Sequence, residues 1–145
     1  IKEWTYWDSY QAPFSYILGR QSLQEFLQRD VPSIYVYDYI NAHLSPRDRI
    51  LLLNDASQFY SHVPTLYSFT VEGEDLLLQE TESGVMSKLK EYGISHVLLN
   101  YHGIAPLPGI TPRLGVHYFL DKDFQQRRLE TVYSKNNVVL YRVRY

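Results

Sequence analysis

The sequence predicts a small three-layer α/β sandwich with a mixed sheet, parallel at its centre and closed by a C-terminal antiparallel hairpin. Three observations carry this. The runs "ILLL" at 50–53 and "HVLL" at 96–99 are apolar without alternation, as strands covered on both faces are. A helical period over 79–92 reaches Gly93, a C′ glycine position, and passes at once into the second run. At the end, "RLETVYS" and "NVVLYRVRY" flank "KNN", a hairpin signal.

Residues 1–20 show no clear period and end near Gly19. Leu23, Phe26 and Leu27 then fall at helical spacing, with Ser22 as N-cap and Glu25 three residues on, the capping-box pattern. Pro32 stops this helix, and Ser33 is placed to cap the next. In "SIYVYDYINAHL", Ile34, Tyr37, Ile40, Asn41 and Leu44 share one helical face. The alternation of Ile34, Val36, Asp38 and Ile40 also suits a strand, but the stop at Ser45-Pro46 favours the helix.

The strand at 50–53 follows, and "ASQFY" suits a short helical turn. The alternation in "PTLYSFTV" predicts a second strand. The helix of 79–92 presents Val85, Leu89 and Tyr92, with Ser83 as its expected cap. Between the third strand and the hairpin, "HGIAPLPGITPR" reads as an irregular loop, and "LGVHYFLDKDFQQ" suits either a helix or an irregular excursion.

Composition narrows function by exclusion. With 16 acidic and 14 basic residues the formal charge is −2, and no basic block marks a nucleic-acid footprint. There is no cysteine, which removes disulfides, thiolate metal sites and cysteine nucleophiles. No apolar run approaches the ~18 residues of a membrane span. The chain begins at Ile1, which reads as a piece of something longer. Its unusual feature is 14 tyrosines, crowded toward the start together with tryptophan and phenylalanine. Trp4, Tyr6, Trp7 and Tyr10 form an aromatic-rich segment of the kind that sits at a membrane–water interface. The segment 1–20 is therefore expected to be membrane-proximal, and 21–145 a single α/β domain.

Motifs for chemistry are scarce. None of the five histidines pairs at the i, i+4 spacing of a helical zinc site. Neither G-x-G-x-x-G nor a P-loop follows the apolar strands, and no G-x-S-x-G elbow occurs. Ser61 and His62 are adjacent, which points their side chains apart in extended chain. Asp121 with Asp123, and Glu72 and Glu74 with Asp75, fall in stretches that suit solvated loops. No metal, cofactor or catalytic residue is expected. Asn54 and Asp55 after one apolar strand, and Asn100 and His102 after the other, remain. If the two strands are parallel neighbours, the four converge on one rim, where open α/β sheets bind ligands. The plainer role is local hydrogen bonding by strand-ending Asn and Asp.

The order of the segments "YILGRQSLQEFLQR" (16–29), "YDYINAHLSPRDRILLLNDASQFYSHVP" (37–64), "LKEYGISHVLLN" (89–100) and "LETVYSKNNVVLYRV" (129–143) carries a resemblance. Collinear in this order, they resemble the C-terminal extracytoplasmic domain of bacterial multi-pass membrane glycosyltransferases, similar to the dolichyl-phosphate-mannose–protein mannosyltransferase family. The resemblance implies transfer of a sugar from a polyprenyl-phosphate-linked donor on the outer face of the membrane. It implies catalytic residues near the first transmembrane helices, outside this chain, and an accessory role here in positioning acceptor or bracing the enzyme. The implied partners are the transmembrane part of the same polypeptide, a lipid-linked donor or acceptor, and the membrane surface. The implied location is the periplasmic side of the cell membrane. The alternatives are a small-ligand-binding α/β module using the rim, and a structural interaction domain docking through its aromatics.

Overall fold

The computed structural model describes residues 16–102 and 115–145. Helix α1 spans Leu23–Asp30. Its capping box is formed in both directions: the Glu25 backbone N–H donates to Ser22 Oγ at 3.2 Å, and the Ser22 N–H donates to Glu25 Oε2 at 2.8 Å. Helix α2 (Ile34–His43) follows, with Ser33 at its N-cap position but making no side-chain cap bond. The strand alternative for this stretch fails because Ile34, Tyr37 and Ile40, at helical spacing, are the residues it buries together with Val36.

Strand β1 (Ile50–Leu53) is buried throughout. A 3₁₀ turn at Gln58–Tyr60 leads to β2, which is shorter than its alternation predicts: only Thr65–Tyr67 are strand. The rest of that run turns at Ser68 and Phe69 and enters helix α3 (Val71–Leu77), which the sequence pattern missed. Thr70 is its N-cap, accepting from the Gly73 N–H at 3.1 Å, with Glu72 and Glu74 in the first turn facing the helix dipole. A Cβ at Gly73 would run into the Tyr67 carbonyl, so the turn closes only around glycine.

Helix α4 (Glu82–Glu91) starts three residues later than its period suggests and is capped by Thr81 rather than Ser83. Gly93, at φ +64°, ends it. The Ile94 N–H donates to the Leu89 carbonyl and the Gly93 N–H to the Lys90 carbonyl, a full Schellman motif that aims the chain into β3 (His96–Asn100). Two short helices, α5 (Val116–Leu120) and α6 (Lys122–Arg128), occupy the ambiguous stretch before the hairpin. Asp121 separates them and caps α6 by accepting from the Phe124 N–H at 2.8 Å. Strands β4 (Leu129–Lys135) and β5 (Val138–Val143) pair antiparallel, and Asn136 and Asn137 both take positive φ, as a type I′ turn requires.

The five strands lie in the order β2-β1-β3-β5-β4, the first three parallel and β5 antiparallel to β3. Side chains alternate across the sheet. Ile50, Leu52, Leu98 and Leu140 pack on Val36, Tyr37 and Ile40 of α2. Leu51, Leu53, Val97 and Leu99 pack on the other face, against α3–α6 through Leu76, Leu89, Phe119 and Phe124. This is a three-layer α/β sandwich with a mixed sheet, as the two unbroken apolar strands predict. An aromatic brace fastens α2 to the edge strand: the Tyr39 ring stacks on Tyr133 at 4.5 Å, and Lys135 Nζ lies 3.8 Å from the Tyr35 ring centroid. Some of the early tyrosines therefore serve the core, Tyr37 most completely.

Candidate functional site

Strands β1 and β3 are parallel neighbours with Leu53 level with Leu99, which puts Asn54 beside Asn100 at the carboxyl end of the sheet. Asn54 leaves β1 at φ +56°, a left-handed conformation that asparagine tolerates better than most residues. The turn points its amide across the strand gap, where Nδ2 donates to the carbonyls of Asn100 (2.9 Å) and His102 (2.7 Å). Asn100 extends the network: its Oδ1 accepts from the His102 backbone N–H at 2.9 Å, and its Nδ2 donates to Asp55 Oδ2 at 3.0 Å. The His102 ring donates through Nε2 to the Asn136 carbonyl at the hairpin tip. All four rim residues of the sequence reading thus meet in one network.

Asp55 is its centre and is buried, at 4% exposure. Its Oδ1 accepts from the Tyr37 hydroxyl (3.0 Å) and the Ser57 backbone N–H (2.8 Å), and Oδ2 takes the Asn100 amide. Hydrogen-bond donors, and no lysine or arginine bonded to it among the described residues, support the buried carboxylate. Burial, then the Asp55 charge and hydrogen bond, push the Tyr37 hydroxyl far above the ordinary tyrosine range, so it remains a donor. Tyr37 and Ser57 were not among the sequence candidates. Ser57 carried a local signal, since Asp two residues ahead of a turn N–H is an Asx-turn pattern. Tyr37, eighteen residues upstream, carried none beyond its place on a buried face.

The other candidates disperse. Ser61 Oγ donates to the Val63 carbonyl and the His62 backbone N–H to Asn41, so the pair does not act together. Glu72, Glu74 and Asp75 are on α3 rather than in a loop, and Asp75 Oδ2 accepts from the Tyr92 hydroxyl (2.6 Å) and Lys88 Nζ (2.8 Å). These bonds, that of Lys88 first, hold the Asp75 carboxyl below its ordinary range and tie α3 to α4. Asp121 is a cap and Asp123 lies in the first turn of α6. Trp4, Tyr6, Trp7 and Tyr10 lie outside the described residues. Among those described, no group of three or more histidines and carboxylates is placed to hold a metal ion, and no helix is long and apolar enough to cross a membrane.

Chemically, the rim network locks two strand ends to each other, to α2 and to the hairpin tip. Both amide protons of Asn54 and both oxygens of Asp55 are already engaged.

No protein-family model matches the sequence, and no curated protein matches it at a significant level. Among solved structures, the C-terminal globular domain of the oligosaccharyltransferase AfAglB-S2 from Archaeoglobus fulgidus is similar, with a TM-score of 0.58. The match covers 79% of this chain and 97% of that one at 8% identity. At that identity the likeness speaks of the fold alone.

Proposed function

We propose that this chain is the extracytoplasmic, periplasmic-side domain of a membrane glycosyltransferase of the dolichyl-phosphate-mannose–protein mannosyltransferase type. The enzyme would transfer a sugar from a polyprenyl-phosphate-linked donor, with catalytic residues outside this chain. The observation that carries the reading is the near-complete match of a solved oligosaccharyltransferase domain, joined to the collinear segments from 16 to 143. The role of the domain is accessory: it braces the membrane-embedded part of the same polypeptide or positions acceptor or lipid-linked donor near the membrane surface. In this reading the aromatic segment containing Trp4, Tyr6, Trp7 and Tyr10 is membrane-proximal. The rim of Asn54, Asp55, Asn100 and His102 is a brace, because its hydrogen bonds are spent within the protein.

The test is incubation of the isolated chain with a radiolabelled polyprenyl-phosphate sugar and a peptide or lipid acceptor. No labelled product is expected, and transfer by the chain alone would overturn the accessory reading. The second reading, a small ligand held at the rim, is favoured by the rim's place at the carboxyl ends of parallel strands. A sugar or nucleotide titration that moves the amide resonances of those four residues would support it, and silence there would remove it.

A further inference from the structure

A groove of about 490 Å³ lies on the far side of the sheet, between α6 and the β4–β5 hairpin. Its volume falls in the range of small-molecule sites, roughly 300–1,000 Å³. Its lining includes Tyr141, buried at 7% exposure, with Gln126, Lys122, Glu130, Thr131 and Arg144. The Tyr141 hydroxyl is anchored away in a bond to the Tyr101 hydroxyl at 3.0 Å, itself held by the Gln125 amide, which fixes the tyrosine in place. The edge strand is irregular beside it: a bulge between Thr131 and Tyr133 breaks the pairing register where the groove is lined. Bulges of this kind re-aim side chains and are over-represented next to sites.

The lining chemistry selects a ligand class. A saccharide presents vicinal hydroxyls that both donate and accept, together with an apolar C–H face. The groove offers an amide that does both (Gln126), a carboxylate acceptor (Glu130), a guanidinium and an ammonium donor (Arg144, Lys122) and a hydroxyl (Thr131), with the apolar Leu129 and the largely buried Tyr141 in the same lining. Arg144 and Glu130 are only loosely associated, at 3.9 Å with both half-exposed, so neither is locked against a ligand. The rim network is the opposite case, with the Asp55 carboxylate and the amide groups of Asn54 and Asn100 bonded within the protein.

From this we infer that the α6–β4–β5 groove is a saccharide-binding subsite, taking a sugar unit of the glycan or acceptor that the proposed transferase handles. It rests on the proposed function for its biological meaning, but the binding itself does not depend on transfer.

The experiment is a two-dimensional ¹H–¹⁵N titration of the labelled chain with mannobiose and with N,N′-diacetylchitobiose at millimolar concentration. Saturable shifts of Gln126, Glu130, Thr131 and Arg144 are expected with at least one of the two, while Asn54, Asp55, Asn100 and His102 stay still. Gln126→Ala and Glu130→Ala, both at exposed positions, should each weaken the apparent affinity at least tenfold and leave the rest of the spectrum unchanged. The absence of saturable shifts with both sugars, shifts centred elsewhere, or affinity unaltered in both variants would each overturn the inference. Sugar binding in the groove together with no sugar transfer by the whole polypeptide in membranes would keep this inference and sink the proposed function. Transfer by the whole polypeptide with a silent groove would do the reverse.

Discussion

Replacing Asp55 by alanine is the perturbation that interrogates the rim most sharply. The carboxylate is 4% exposed and accepts from Tyr37, Ser57 and Asn100. Its removal strands three donors, two of them on side chains in buried bonds, and an unsatisfied buried donor costs about 1–3 kcal/mol. Allowing for partial relaxation around the site, the loss should be roughly 3–5 kcal/mol, a large share of the ~5–15 kcal/mol that stabilises a domain. At a urea slope of about 2 kcal/mol per molar, the unfolding midpoint falls by roughly 2 M. Tyr37→Phe, which removes one bond to a charged acceptor, should cost about 1.5–3 kcal/mol alone. In the Asp55→Ala background the same change removes a stranded donor and should cost nothing or restore stability. The double-mutant cycle, measured by circular dichroism in urea, should therefore show coupling of at least ~1.5 kcal/mol. Additive losses, or an Asp55→Ala midpoint within a few tenths molar of the parent, would refute the brace.

Two further outcomes follow from local geometry. His96 is 5% exposed with Nε2 unpartnered among the described residues; Ser95 Oγ lies 2.8 Å from Nδ1 and Asp48 3.7 Å. Burial lowers its pKa below the ordinary 6.5, with Asp48 opposing and Arg142 adding to the shift. The folded protein then binds this proton less readily than the unfolded chain, so stability holds above pH about 6.5 and declines as pH falls below it. Urea midpoints at pH 7.5 and 5.5 should differ less in His96→Phe than in the parent, and an equal difference would reject this origin. Gly93→Ala forces a Cβ into φ +64° at the Schellman turn and should cost about 1–2 kcal/mol by urea unfolding.

What the sequence disclosed and what it withheld divide along physical lines. β1, β3, the α4–Gly93–β3 turn and the hairpin were legible because burial on both faces, a left-handed glycine and paired asparagines leave local traces. The capping box of α1 was legible for the same reason. Helix α3 was not: its entry "SFTV" carries β-favouring residues, and the Thr70 cap with Glu72 and Glu74 behind it was the signal that competed and won. The convergence of Asn54, Asp55, Asn100 and His102 needed only the parallel pairing of two strands. The Tyr37–Asp55 bond and the Tyr92–Asp75–Lys88 cluster needed a helix placed against its neighbours, which no local pattern states. The groove beside Tyr141 likewise exists only once α6 and the hairpin are packed together.

The central claim, an accessory domain whose catalytic partner lies elsewhere in the polypeptide, is tested most directly by sugar transfer in membranes. Vesicles holding the whole polypeptide would be supplied with a radiolabelled polyprenyl-phosphate sugar, and compared with vesicles holding the polypeptide with this domain deleted and with the domain alone. The account predicts product with the whole polypeptide, reduced product on deletion, and none from the domain alone. Product from the domain alone, or none from the whole polypeptide with any polyprenyl-phosphate donor, would contradict it.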